Sequence, residues 1–197
     1  MSKPAGRGKK ASSPKDLVML LLYAKGHTGR VCEPIRGRTR LMKTVFLLKE
    51  ELLPKMRLKQ SLSRDAFPDF SPYDYGPFSS QVFSDLEFLV ELGFVSVDPV
   101  SDAEPLPEEA LEYEYWQAGG DGLEGEEQFS LTSLGREFVE GGEAGHLTPD
   151  QWEAFAELKA RCNQTPLRAL LRYIYAKYPE WTTKSKIRED ILSKHPF

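Results

Sequence analysis

A mainly α fold with a small antiparallel β-wing and a C-terminal helical extension is predicted by three observations. In the stretch SSQVFSDLEFLVELGFVSV, Val82, Leu86, Leu89 and Val90 recur at helical spacing, Gly93 ends the pattern, and Phe94 to Val97 alternate as a strand does. Upstream, TRLMKTVFLLKEELL carries a second apolar helical face, and beyond Gly141-Gly142 a run of helical patterns follows Thr148. Helix, glycine, strand is how a winged helix passes into its wing, so the class is winged-helix-like α+β. The predicted organisation is a disordered basic arm over 1–14, a winged-helix-like domain over 15–142 with an acidic insert at 98–127, and a C-terminal helical subdomain over 143–197.

Each element has its own local cause. Met1 to Pro14 is rich in Gly, Pro, Ser and Lys and has almost nothing to bury. Ser13-Pro14 forms a helix entrance, Asp16 favours the positive end of the helix dipole, and Leu17, Leu20, Leu21 and Ala24 form a stripe that stops at Gly26. The loop GHTGRVCEPIRG is too irregular for a central element, and His27 reads as a polar loop residue. The next helix runs from about Thr39 to Leu53, with Leu41, Val45, Leu48 and Leu52 on one face, Met42 and Phe46 widening it, and Pro54 as its stop.

Lys55 to Asp69 connects this helix to the Pro-Tyr-Asp-Tyr-Gly-Pro-Phe turn, with Phe67 and Phe70 tucked inward. Ser79 or Ser80 caps the helix of the opening stretch, and Gly76 is expected to take a backbone conformation that other residues avoid. Return strands are expected at Tyr113 and Tyr115 and at Phe129 and Leu131, with Gly119-Gly120-Asp121-Gly122 as the turn. Thr132 and Ser133 cap a short helix that turns Leu134 and Phe138 inward. Three helices complete the chain. The first carries Trp152, Phe155, Leu158 and Cys162, the second Leu167, Leu170, Leu171, Ile174 and Tyr175, and the third spans 184–194 with Ile187 and Ile191 or Leu192 inward.

With 197 residues and 40% hydrophobic content, the chain can bury one core and a small appendage, which excludes two large domains. No apolar run approaches a membrane span and no signal peptide is visible, so the expected location is cytoplasmic, without membrane contact. Cys32 and Cys162 fit a reducing compartment, and with three scattered histidines they provide no zinc spacing, so no metal or cofactor is expected. No phosphate-binding glycine loop, nucleophile elbow or His-carboxylate pair emerges, so an enzyme is not expected.

The net charge is −4, but its distribution is uneven. Met1 to Arg40 holds ten Lys or Arg against two acids, whereas Val82 to Leu147 holds seventeen acids and one base. Arg36, Arg38, Arg40 and Lys43 crowd the amino-terminal turn of the second helix while Glu50 and Glu51 sit near its other end, the reverse of what the helix dipole prefers. Either an anion from a partner occupies that end or the chain's own acidic middle pairs with it. Beside it, Tyr73 and Tyr75 can contact a partner or brace their loop against the core. These six residues, Arg36, Arg38, Arg40, Lys43, Tyr73 and Tyr75, form the candidate partner- or anion-binding site. The predicted wing is acidic, which argues against simple DNA binding through it.

The segments GRTRLMKTVFLLKEE, FPDFSPYDYGPFS, DLEFLVELGFV, FSLTSLGREF and LLRYIYAKYPEW resemble, over roughly Asp16 to Trp181, the SocA-like antitoxin (Panacea) group and the related YwgA-like bacterial and archaeal proteins. The resemblance implies a mostly helical, winged-helix-like domain that works by binding, often as the antitoxin of a toxin. The expected function is therefore a non-enzymatic, antitoxin-like or regulatory protein with a protein partner. The alternative is a sequence-specific winged-helix DNA regulator, with nucleic acid reached through the basic N-terminal region. A homodimer is left open.

Overall fold

The structure, a computed structural model, describes residues 13–56, 58–100, 127–142 and 146–193. The predicted arm up to Ser12, most of the predicted acidic insert, the strands at Tyr113 and Tyr115 and the turn at 119–122 lie outside the described residues.

Helix α1 (Pro14–Tyr23) opens with a capping box in which the Ser13 side chain and Asp16 satisfy one another's backbone amides. Its Leu17 to Leu22 run is buried on every side, so the middle of the helix is a central rod, with Lys15 partly exposed at its start. The loop after it contributes a two-residue edge strand, β1 (Ile35–Arg36). Helix α5 (Ser80–Glu91) is capped by the Ser79 hydroxyl and followed by Gly93 at φ 72°, from which the chain enters β4 (Val95–Pro99). Strand β5 (Glu127–Leu131) lies between β1 and β4 in an antiparallel three-stranded sheet, with Ile35 opposite Phe129 and Val97 opposite Phe129 on the other side. Phe129 and Leu131, expected on a return strand, are therefore on one.

Helix α2 (Arg38–Leu47) is buried from Arg40 through Leu47. Pro54 does not stop it: the chain widens into a π turn (Leu48–Leu52) and continues as a final helical turn, α3 (Leu53–Lys55). Proline has no amide, and its ring would collide with the carbonyl four residues back. The Leu53 amide donating to the Leu48 carbonyl widens the backbone where Pro54 must fit. A short helix, α4 (Leu58–Ser61), and a 3₁₀ turn (Arg64–Ala66) lead to the hairpin of β2 (Ser71–Tyr73) and β3 (Gly76–Phe78).

Helix α6 (Ser133–Gly141) is capped by Thr132 as expected, but its buried face is not the expected one. Leu134 and Phe138 are exposed, while Gly135 and Val139 are buried. The cause is Gly135, where a Cβ would lie 2.2 Å from the Phe94 carbonyl oxygen, so this bare backbone is the side that meets the sheet. Helix α7 (Pro149–Gln164), with a Thr148–Gln151 capping box, and α8 (Leu167–Lys177) place Phe155, Leu158, Leu170, Leu171 and Ile174 in the same buried cluster as α1 and α2. The last helix, α9 (Arg188–Leu192), is shorter than expected; Ile187 and Ile191 are buried and Leu192 is exposed. The fold is thus mainly helical with a small antiparallel sheet. No helix among the described residues is long and apolar enough to cross a membrane.

Candidate functional site

The Tyr-Asp-Tyr-Gly turn is a two-residue hairpin connection, with Tyr73 paired to Gly76 and Asp74-Tyr75 at the tip. Gly76 sits at φ 84°, and a Cβ there would lie 2.9 Å from the Tyr175 ring, so both conformation and space require glycine. The tip is tied to the C-terminal segment. The Lys186 amide and the Ser185 hydroxyl donate to the Asp74 carbonyl at 2.9 and 3.2 Å, and the Lys186 ammonium meets the Asp74 carboxylate at 2.5 Å. The turn is therefore held in place by the C-terminal segment, while Tyr73 is 52% exposed.

Facing the hairpin is the start of α2, whose N-cap Gly37 supplies no side-chain cap. Arg38 reaches carboxylates of the acidic middle: its Nε lies 3.3 Å from Glu127 and an Nη 3.5 Å from Glu87, with its guanidinium over the rings of Phe83 and Phe129. Pairing with the chain's own acids is thus what Arg38 does. Arg40 is buried and donates to the carbonyls of Cys162 and Thr165 at the C-terminal end of α7, where the helix dipole favours a cation. Lys43 is 3% exposed and donates to the Pro77 carbonyl at 2.9 Å, joining α2 to the hairpin. Glu51, at the far end of the same helical run, is buried and receives Arg161, Lys177 and the Tyr173 hydroxyl. The reversed charges of this helix are in large part an internal network. Arg36 lies apart, exposed on edge strand β1.

Between α2 and the hairpin lies a cleft of about 170 Å³. Arg38, Met42 and Lys43 line one side, Tyr73, Tyr75 and Phe78 the other, and Phe83 of α5 closes one end. Four of the six predicted site residues therefore share one cleft, while Arg36 and Arg40 are not among its lining residues. The Tyr73 and Phe78 rings stack at a tilt with centroids 5.0 Å apart. Burial pulls the Lys43 amine down to about 7. Met42, Phe78 and Phe83 were not among the sequence candidates. Phe83 flanks the Val82 stripe and so carries a weak signal, but α2 is buried nearly all round, and periodicity cannot mark a cleft-facing side on such a helix.

A second polar centre holds the loop after α1. Burial alone would raise the Glu33 carboxyl, but hydrogen bonds from Thr28, Asn163 and His27 outweigh it and bring it down to about 2. His27 is 2.6 Å from that carboxylate, so its role there is to hold the loop. No group of His, Cys, Asp and Glu among the described residues is arranged to hold a metal. No protein-family model matches the sequence, and no curated protein matches it.

Proposed function

We propose that this chain is a winged-helix-like, antitoxin-like or regulatory binding protein that engages a protein partner through the α2–hairpin cleft. The order helix, strand, helix, helix, strand, strand given by α1, β1, α2, α5, β4 and β5, with β5 central in the sheet, supports the winged-helix reading. The resemblance to SocA-like antitoxins supports a protein partner. The observation that carries the choice is the composition of α5, the helix that would enter a DNA groove in such a fold. Its residues SQVFSDLEFLVE expose Glu87 and Glu91 and include no lysine or arginine. An acidic helix is repelled by the phosphate backbone that dominates DNA affinity. An aromatic-walled cleft with a fixed tyrosine hairpin instead suits an apolar anchor from a protein, the kind of contact that concentrates binding energy.

Capture of a partner from the lysate of the source cells, compared between the native chain and the double variant R38A/Y75A, tests the reading. Loss of the specific band from the variant, with unchanged circular dichroism, is the expected outcome; equal capture removes the cleft from consideration. The alternative reading, a winged-helix DNA regulator, predicts a steep fall in affinity for its own promoter DNA as salt is raised. A flat salt dependence excludes it.

A further inference from the structure

The apolar side chains that this molecule leaves in the open are not scattered. Seven large ones are exposed among the described residues, and four of them, Phe88, Leu92, Leu134 and Phe138, fall on α5 and its C-cap or on α6. Phe88 and Leu92 are four residues apart, as are Leu134 and Phe138, so each pair lies on one side of its helix. The two helices meet at Gly93-Phe94. There the Thr132 hydroxyl that caps α6 donates to the Gly93 carbonyl at 2.7 Å, and the Phe94 and Phe138 rings approach to 5.3 Å between centroids. The inward sides of both helices are occupied separately, by Val82, Leu86 and Leu89 in α5 and by Gly135 and Val139 in α6. The exposed pairs are therefore surplus to the core, and apolar groups gathered at one joint mark an interaction face.

The charges around this face state what it accepts. Helices α5 and α6 together hold five acids, Asp85, Glu87, Glu91, Glu137 and Glu140, and one base, Arg136, which is paired with Glu140 at 2.9 Å. Glu91 and Glu137, next to Leu92 and Phe138 in the chain, are exposed. Such a rim repels the phosphates of nucleic acid and of anionic lipid. It also opposes a second copy of the chain, because a two-fold contact would set these carboxylates against their own equivalents. A cationic segment with an apolar side of its own is the complement.

We propose that the α5–α6 face docks a basic amphipathic helix from a protein partner. The apolar residues of that helix, about three or four apart, pack against Leu92, Leu134 and Phe138, and its lysines or arginines meet Glu91 and Glu137. Lys15, over the Phe88 ring at 5.1 Å and 4.0 Å from the Asp85 carboxylate, already occupies the far end of the α5 stripe, so the contact centres on the joint. The α2–hairpin cleft takes no part. None of these contact residues lines it, and the proposal stands whether or not the cleft engages a partner.

The probe is a fluorescein-labelled peptide of about 18 residues, leucine and lysine only, patterned as an amphipathic helix and titrated with the full chain at physiological salt. Saturable binding is expected, weakened roughly tenfold or more in L134S/F138S, whose circular dichroism should match the native chain because both side chains are exposed. The serines leave every charge in place, so they separate docking on this face from general attraction of a cationic peptide to an acidic chain. E91Q/E137Q should weaken binding by a smaller factor, R38A/Y75A should leave it unchanged, and a matched leucine–glutamate peptide should not bind. Binding unaltered by L134S/F138S overturns the proposal, as does equal affinity for the leucine–glutamate peptide. Binding of the native chain to phosphatidylserine vesicles, or a dimer that L134S/F138S turns into a monomer in sedimentation, would give the face to a membrane or to a second copy and would overturn it too.

Discussion

Lys43 and Lys159 sit about equally deep in the molecule, one in α2 and the other in α7, and they serve opposite ends. Lys159 reaches the C-terminal end of α1 and satisfies two carbonyls that the helix leaves without partners. Lys43 satisfies one carbonyl of a hairpin and borders open space. The first position is saturated and closes the core; the second is unsaturated and leaves a cleft. Burial of a charged residue type is therefore not one signal, and the two amines differ in how many acceptors surround them.

The largest expected effect breaks the saturated side. At pH 10, where burying a free amine carries little ionisation penalty, K159M leaves two buried carbonyls without donors and should destabilise by about 3 kcal/mol in urea unfolding. Next comes G76A, which forces a left-handed conformation on alanine and pushes against the Tyr175 ring. A loss of about 2 kcal/mol is expected, with the hairpin displaced. K43M at the same pH removes one hydrogen bond and should cost about 1 kcal/mol; a loss equal to that of K159M would erase the distinction drawn between the two sites.

The same two lysines set an alkaline signature. Both amines are depressed in the folded state to about 7, against an ordinary value near ~10.4 in the unfolded chain. Between these values the unfolded chain binds more protons, so stability should rise as pH is raised from 7 towards 10, and K43M should flatten that rise in part. Glu33 works in the opposite range. Its depressed carboxyl contributes stability that is present above its ordinary pKa and lost as pH falls towards about 2, and E33Q should shrink this acid loss in a pH-dependent melting series.

Much of the fold was legible because it was written in local chemistry. Ser13-Pro14, Ser79, Thr132 and Thr148 each announce a helix start, and Gly93 announces the passage into β4. Where sequence reading went astray, a non-local contact had decided the matter. The face of α6 follows from the approach of Gly135 to the Phe94 carbonyl, which no pattern within the helix reveals. The helix through Pro54 survives because a π turn absorbs the missing amide. The candidate site was half legible. The tyrosine turn and Arg38 were visible as a rigid loop beside crowded charge, but the inward turn of Arg40 onto α7 depends on residues more than a hundred positions away.

Exposed Leu134 and Phe138 on α6 offer a rival surface, and one experiment separates it from the cleft. Hydrogen exchange of the full chain, with and without its captured partner, should slow at the Tyr73–Gly76 turn and at Gly37 to Arg40 while α6 stays unchanged. Protection confined to Ser133–Gly141, with the hairpin amides unaltered, would contradict the assignment of the cleft as the recognition surface.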